Sequence, residues 1–268
     1  MAVSENAPTG SSEKEGGGST RDAFLDGRLA AVQPAAGHHR SGSDALFLAG
    51  CVTGPGVCVD LGAGVGVAGL AAACRIPGLE VLLVERDAVM LDHARRTLES
   101  NPALSGRARL IGLDVTAPEA ERQAAGLGRA FADWVIINPP YRLAGSVRAT
   151  PHAARAEAHL IAGVEALDPW LRTAAAVLKP GGRLRMILDA ACFPEILPLL
   201  EGRFGAVTLR GLHPRAGLAA ERLLLGAIKG RKTPPRLLEG LVLHETDGRY
   251  TGQAGAILEG RAAIAMEA

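Results

Sequence analysis

Aromatic side chains are scarce, at 3% of 268 residues, so the core has to be built from Ala, Leu and Val, and each Trp or Tyr carries more information. Cysteine is nearly absent too. Cys51, Cys58, Cys74 and Cys192 form no C-x-x-C pair and have small or apolar neighbours, which argues against a disulfide framework or a zinc site and for core filling in a reducing compartment. No excess of one charge exists, since the formal net charge is +1. The bulk field therefore does not announce a nucleic-acid binder, although charge can still be segregated. No apolar run reaches the about 18 residues of a membrane span, and the Gly/Ser-rich N-terminus has no apolar signal-peptide core. A cytoplasmic protein without a membrane partner is expected. The seven histidines suggest no metal. His38 and His39 are adjacent and lack a carboxylate at ligand spacing, His152 and His159 flank Arg155 in an Ala-rich stretch, and His213 and His244 have no evident partner.

What is present is a hydrophobic content of 48%, enough for one sizeable core. Residues 1–21 have few large apolar groups and read as a disordered tail, leaving 22–268 as a single domain. After the polar loop His38–Asp44 and a helix-like stretch Ala45–Cys51, the pattern alternates. Strands are expected over Val57–Leu61, Glu80–Val84, Ala108–Leu113, Ala132–Ile137 and Arg183–Leu188. Helices are expected over Val67–Cys74, Ala88–Glu99 and Val164–Leu178, with a turn at Lys179–Gly182. Such alternation implies βαβ units and a parallel sheet, with ligands bound beyond the carboxyl ends of the strands. Val207–Leu212 and Arg222–Ile228 then suggest an antiparallel pair that finishes the sheet, and Leu241–His244 one more short element. Between 201 and 236, eight basic residues (Arg203, Arg210, Arg215, Arg222, Lys229, Arg231, Lys232 and Arg236) face two acids, Glu201 and Glu221; this is either a solvated face or a phosphate-contacting patch.

Asp60-Leu61-Gly62-Ala63-Gly64-Val65-Gly66 lies between a strand and a helix. Glycines there let the backbone approach a ligand, and the helix N-terminus directs N–H groups at it. Gly64, Gly66 and Gly69 satisfy G-x-G-x-x-G, a weak signal that a tight turn would also satisfy. Asp60, just before the glycines, suits a cationic ligand and repels a pyrophosphate, which tilts the choice from a dinucleotide towards S-adenosylmethionine. Glu85, ending the next strand, can take both ribose hydroxyls, a feature common to adenosine ligands. Asp114, ending the third, either accepts from the adenine amine or caps the helix that follows.

Asn138-Pro139-Pro140-Tyr141 follows the apolar run Trp134–Ile137. Two prolines fix the backbone and hold the preceding residue extended. They display two acceptors, the Asn138 side-chain oxygen and the Pro139 carbonyl, beside the Tyr141 ring. An exocyclic amine on a planar base is a poor nucleophile because its lone pair is delocalised; two acceptors on its two hydrogens localise that pair towards a methyl donor, and the aromatic ring holds the base in line. The bland alternative is a proline turn with Tyr141 as rim packing.

With these motifs the chain resembles the class I S-adenosylmethionine-dependent methyltransferases. Within them it is similar to the bacterial family that methylates N6 of an anticodon-adjacent adenosine in tRNA(Val). The resemblance runs from about residue 22 to about 260, through Gln33–Asp44, Asp60–Gly66, Asn138–Tyr141, Leu241–Glu245 and Gly248–Thr251. It implies a Rossmann-like α/β fold, a mostly parallel seven-stranded sheet with a terminal antiparallel hairpin, S-adenosylmethionine as cofactor and RNA as partner. By motif, Asp60, Gly62, Gly64 and Glu85, with Asp44 contributing, would bind the donor, and Asn138, Pro139, Pro140 and Tyr141 would hold the adenine. Enzymes that methylate glutamine in release factors share the Asn-Pro-Pro-Tyr motif, so a protein amide is the rival substrate. A non-catalytic RNA-binding module is the rival outside enzymology.

Overall fold

The computed structural model describes residues 12–15, 18–38, 40–139 and 164–267. It begins with a three-stranded antiparallel sheet, β1 (Ser12–Glu15), β2 (Ser19–Phe24) and β3 (Leu29–Pro34). Within the stretch expected to be a tail, the described residues of β1 and the start of β2 are backbone-paired from Ser12↔Asp22 to Glu15↔Ser19. Composition missed them because polar contacts hold this sheet. Asp22 is fully buried and accepts from Gln33 Nε2 at 2.6 Å and Arg40 Nη2 at 2.5 Å.

Helix α1 (Ser43–Gly50) is followed by a regular alternation: β4 (Gly56–Leu61), α2 (Val67–Arg75), β5 (Leu79–Glu85), α3 (Ala88–Glu99), β6 (Ala108–Gly112), α4 (Glu119–Ala124) and β7 (Ala132–Ile137). Helix α3 starts where Asp87 accepts from the N–H groups of Val89 and Met90, a side-chain N-cap. The same helix covers the free edge of β3. Thr97 Oγ1 accepts from Val32 N and Asn101 Oδ1 from Ala30 N, both at 3.0 Å. The two side chains lie four residues apart along the helix direction, which matches two residues along the strand.

Past the segment 140–163, a 3₁₀ turn (Val164–Leu167) leads into α5 (Asp168–Val177) and β8 (Leu178–Asp189). Lys179–Gly182, the expected turn, is absorbed into β8 as an irregularity: β7 pairs with β8 at Ala132↔Leu178 and resumes at Trp134↔Arg183. A helix that periodicity did not show, α6 (Phe193–Leu200), follows; Pro194 and Pro198 obscure it. Then come β9 (Phe204–Arg215), β10 (Arg222–Lys229), β11 (Arg236–Leu237), β12 (Leu241–His244) and α7 (Gly252–Leu258).

The large sheet runs β6-β5-β4-β7-β8-β10-β9, with β11 and β12 both on the outer edge of β9. β10 alone runs against its neighbours β8 and β9, so the fold is Rossmann-like, mostly parallel, and has the expected antiparallel hairpin. Among the described residues it has nine strands where seven were expected. The extra two form one interrupted edge strand: Arg236↔Thr208 and Leu237↔Leu209, then Leu241↔Leu212 onward. Gly240 lies in the gap, where a Cβ would stand 2.4 Å from His213 Nε2. A two-residue strand between two prolines and that glycine leaves no periodicity to read. α1 is buried along Ala45–Gly50, as its uniformly apolar sequence requires. No helix among the described residues is long and apolar enough to cross a membrane.

Candidate donor and reaction site

The strand order reverses at β4, since β5 and β6 build outward on one side and β7 returns on the other. A crevice opens beyond the carboxyl ends of β4 and β7 at such a switch point. The register brings the expected site residues to this edge. Leu61 pairs with Val84 and with Ile137, so Gly62, Glu85 and Asn138 leave their strands side by side. Glu85 pairs with Gly112, two residues before Asp114.

The glycine loop is held in the left-handed region at Gly62 (φ 72°), Gly64 (φ 56°) and Gly66 (φ 90°), which side chains resist. Its backbone is anchored by Gly62 N and Ala63 N, which both donate to Val84 O at 2.9 Å. Gly69, inside α2, has a different job: a Cβ would lie 2.7 Å from Val81 and 2.8 Å from Leu83, so its absence lets the helix sit on β5.

Asp60 is 2% exposed and accepts from Gly69 N at 2.9 Å. Since the cap residue Gly66 has no side chain, Asp60 supplies the carboxylate for the first turn of α2 from the strand below. Burial pushes its pKa up to about 7; the Gly69 N–H opposes that and the nearby charge of Glu85 adds to it. Glu85 Oε2 accepts from Gly64 N at 2.9 Å, while Oε1 accepts from Arg86 N at 2.7 Å and Asp87 N at 2.9 Å. Three of the about four acceptor positions of a carboxylate are thus taken, leaving one for a ribose hydroxyl where the sequence suggested two. Asp114 does not cap the following helix, whose N-cap is Pro118 with no side-chain bond; its Oδ1 accepts from the Thr116 N–H and hydroxyl at 2.8 Å in a local turn, and Oδ2 pairs with Arg86 at 2.8 Å. Burial alone would raise its pKa, but the bonds from Thr116 and Arg86 hold it below the usual carboxylate value.

Asp44, in the first turn of α1, pairs with Arg222 at 2.9 Å. Arg222 stands opposite Asp189 at the carboxyl end of β8, so Asp44 shares this edge but sits on the β8–β10 side, away from the glycine loop. Asn138 is half-buried and Pro139 buried directly after β7. Pro140 and Tyr141 lie outside the described residues, as do His39, His152, His159 and Arg155.

Three features escaped the sequence reading. Trp170 lies against Gly62, 2.6 Å from where a Cβ would be, a contact invisible across 108 residues of chain. His38 reaches Asp87 at 3.8 Å, so the loop before α1 lies over the start of α3, beside Glu85. His244 stacks on Tyr250 at 4.6 Å and bonds Pro214 O, while His213 bonds Leu218 O at 2.8 Å, which gives both histidines the partners they seemed to lack. A hollow of about 460 Å³ is lined by Asp26, Tyr250, Thr251, Glu259 and Arg261 among others. None of its lining comes from the glycine loop or Asn138.

The eight basic residues of 201–236 do not form one patch. Arg215 and Arg222 stand at the carboxyl edge. Lys229 pairs with Phe204, so Arg203, Lys229, Arg231 and Lys232 gather at the opposite, amino edge. Arg210, midway, bonds the carbonyls of Glu239 and Ala265.

Comparison with known proteins agrees with this geometry. The family described as methyltransferase small domain matches residues 41–211. A predicted O-methyltransferase from Agrobacterium tumefaciens is 35% identical, with a TM-score of 0.71 over 82% of this chain and 98% of that one. Pyrococcus horikoshii TYW2, solved with MeSAdo, is 12% identical, with a TM-score of 0.51 over 81% of this chain and 74% of that one; it shares the fold. No curated protein matches.

Proposed function

The chain belongs to the methyltransferase small domain family, and from that premise we propose that it transfers a methyl group to the N6 amine of an adenosine in RNA, with tRNA as the substrate. The coarser part stands on the family: this is an S-adenosylmethionine-dependent methyltransferase of Rossmann-like fold. The site fits that donor. Positive-φ glycines keep side chains off the loop at Gly62 and Gly64, Glu85 keeps an acceptor position at the ribose end, and a carboxylate there suits a cation rather than a pyrophosphate.

One observation carries the substrate reading: Asn138 and Pro139 leave β7 beside Gly62, within the crevice where donor and acceptor must meet. When bound, S-adenosylmethionine supplies an electrophilic methyl group. The Asn138 side-chain oxygen and the Pro139 carbonyl would each accept one hydrogen of an NH2 group. That grip turns the amine lone pair towards the methyl carbon and fixes the line of attack. An oxygen acceptor, as in the name of the predicted O-methyltransferase from Agrobacterium tumefaciens, carries at most one hydrogen and would leave one of the two acceptors unused. A side-chain amide would fill both, so glutamine in a release factor is the rival the geometry allows.

The test is transfer of tritiated methyl to unmodified tRNA, ribosomal RNA, release factor and a catechol by wild type and Asn138→Ala. N6-methyladenosine in tRNA, lost in the variant, supports the proposal. Label in release factor or catechol alone would replace the RNA reading with an amide or a hydroxyl one.

A further inference from the structure

Among the described residues, four large apolar side chains are exposed: Val89, Phe193, Leu218 and Leu237. Single exposures scattered over a surface are ordinary, but three of these four share the edge that carries the crevice. Val89 lies in the first turn of α3, just past the end of β5. Leu218 lies in the turn between β9 and β10, whose Arg215 and Arg222 ends stand at the carboxyl edge. Phe193 opens α6, shortly after β8 ends at Asp189.

Phe193 says most, because aromatic rings are scarce. Phe24, Phe47 and Phe204 are buried and Phe131 packs on the core, whereas Phe193 is 38% exposed. It heads the apolar stripe of α6, and the later members of that stripe, Ile196 and Leu200, are buried. The helix starts past the end of β8, so the first residue of the stripe reaches beyond the sheet that covers the others. The ring is also held in place. Asp189 Oδ1 accepts from Ala191 N at 2.9 Å, Ala190 N donates to Glu221 O at 3.1 Å, and Pro194 fixes the first turn of α6. A ring ordered in advance loses little freedom when a partner meets it.

β8 is the strand beside β7. The register Ile137↔Met186 sets Asn138 beside Ile187, and the chain from Ile187 to Phe193 spans no more than about 20 Å. A base presented to Asn138 has to leave its stack, which bares a face of the nucleotide next to it. An aromatic ring at the rim covers such a face whichever base it is, since every base has one. On the same shoulder Asp44 neutralises Arg222 at 2.9 Å, so a base face suits this rim better than a phosphate. We propose that Phe193 is a stacking platform for a nucleotide flanking the target adenosine, and that it holds a single-stranded RNA loop open across the β8 side of the crevice. The proposal rests on the RNA reading of the site, which label transfer by the wild type tests separately.

The experiment uses the full chain and an RNA stem-loop that accepts label, together with two versions of it that lack the base on the 5′ or the 3′ side of the target. Phe193→Ala should raise KM by about five- to a hundredfold, the range of one base–aromatic stack. The calorimetric Kd for S-adenosylmethionine should stay within about twofold of wild type, and the salt slope of RNA binding should not change. One of the two abasic loops should show the same loss with wild type and no further loss with Phe193→Ala. Phe193→Trp should keep the KM of wild type or lower it. An unchanged KM in Phe193→Ala would overturn the proposal, as would losses that multiply with both abasic loops. Donor affinity that weakens in step with KM would overturn it too, and make Phe193 a support for the fold. A wild type that labels release factor and no RNA would overturn the RNA reading and this proposal with it.

Discussion

The two sides of the crevice at β4 are built on different terms. On the β4–β6 side, each acid at a strand end is already bonded within the protein: Asp60 to Gly69, Glu85 to Gly64, Arg86 and Asp87, Asp114 to Thr116 and Arg86. On the β7–β8 side, the strand end leads straight into proline, and rigidity comes from the backbone itself. The first side is a socket whose shape is set before any ligand arrives; the second, on the proposed reading, would offer its acceptors to the substrate. Pre-set dipoles need not reorganise when the ligand binds, which is how a site spends its stability on orientation. The sharpest way to break this division is Asn138→Ala. Turnover should fall by about 10²–10³, the cost of one positioned hydrogen-bonding group at a reacting centre. The calorimetric Kd for S-adenosylmethionine should stay within about twofold of wild type. A comparable loss of donor affinity would show that the two sides are not separable.

The next largest effect concerns Asp60, the most buried acid of the socket. Its folded-state pKa is raised from 3.8 to about 7. The folded protein therefore holds a proton that the unfolded chain has released, and stability should fall as pH rises through that window, from about 4 to about 7. Three units would correspond to at most about 4 kcal/mol. Asp60→Asn retains an acceptor for Gly69 and removes the titration. Measured by urea denaturation, the variant should gain on the wild type as pH increases from 5 to 7.5. Parallel pH profiles would mean that Asp60 is ionised throughout.

Gly62→Ala tests the socket sterically. The substitution forces a side chain to φ 72° and sets a Cβ 2.6 Å from Trp170. Strain of about 1–3 kcal/mol for the backbone alone adds to displacement of the ring. Gly181→Ala is the control, since φ is 76° there but nothing lies within 4 Å of the new Cβ. Gly62→Ala should cost about 3 kcal/mol in denaturation and Gly181→Ala about 1 kcal/mol. Equal losses would show that Trp170 yields freely.

The socket side was also the more legible in sequence. A strand, an acid, glycines and an apolar helix are local signals, and β4, α2, β5 and α3 lie where those signals put them. What escaped was non-local. Which oxygen of Glu85 meets Gly64, that Asp60 serves Gly69, and that Trp170 reaches Gly62 depend on contacts spanning from nine to over a hundred residues. The β1–β2 pairing escaped for another reason. Its sequence has few apolar groups, and the sheet is held by backbone pairing and by polar contacts such as Asp22 with Arg40 and Gln33, which periodicity does not register.

The smallest expected effect decides what the basic residues of the far edge do. Arg231 and Lys232 are exposed at the amino end of β9, in a turn fixed by the bond from Ala206 N to Thr233 O. β9 runs twelve residues from Phe204 to Arg215, about 36 Å at the strand rise, before it reaches the carboxyl edge. That distance is several times the about 8 Å over which exposed charges act in physiological salt. A nucleotide in the crevice therefore does not feel these two cations, and they read as a solvated face. Charge reversal of both, Arg231→Glu with Lys232→Glu, should change kcat/KM for tRNA by less than about twofold and leave the salt slope of binding unaltered. A tenfold rise in KM that vanishes with a short stem-loop substrate would show instead that a long RNA wraps from the crevice to the amino edge, and that both ends of the sheet take part in recognition.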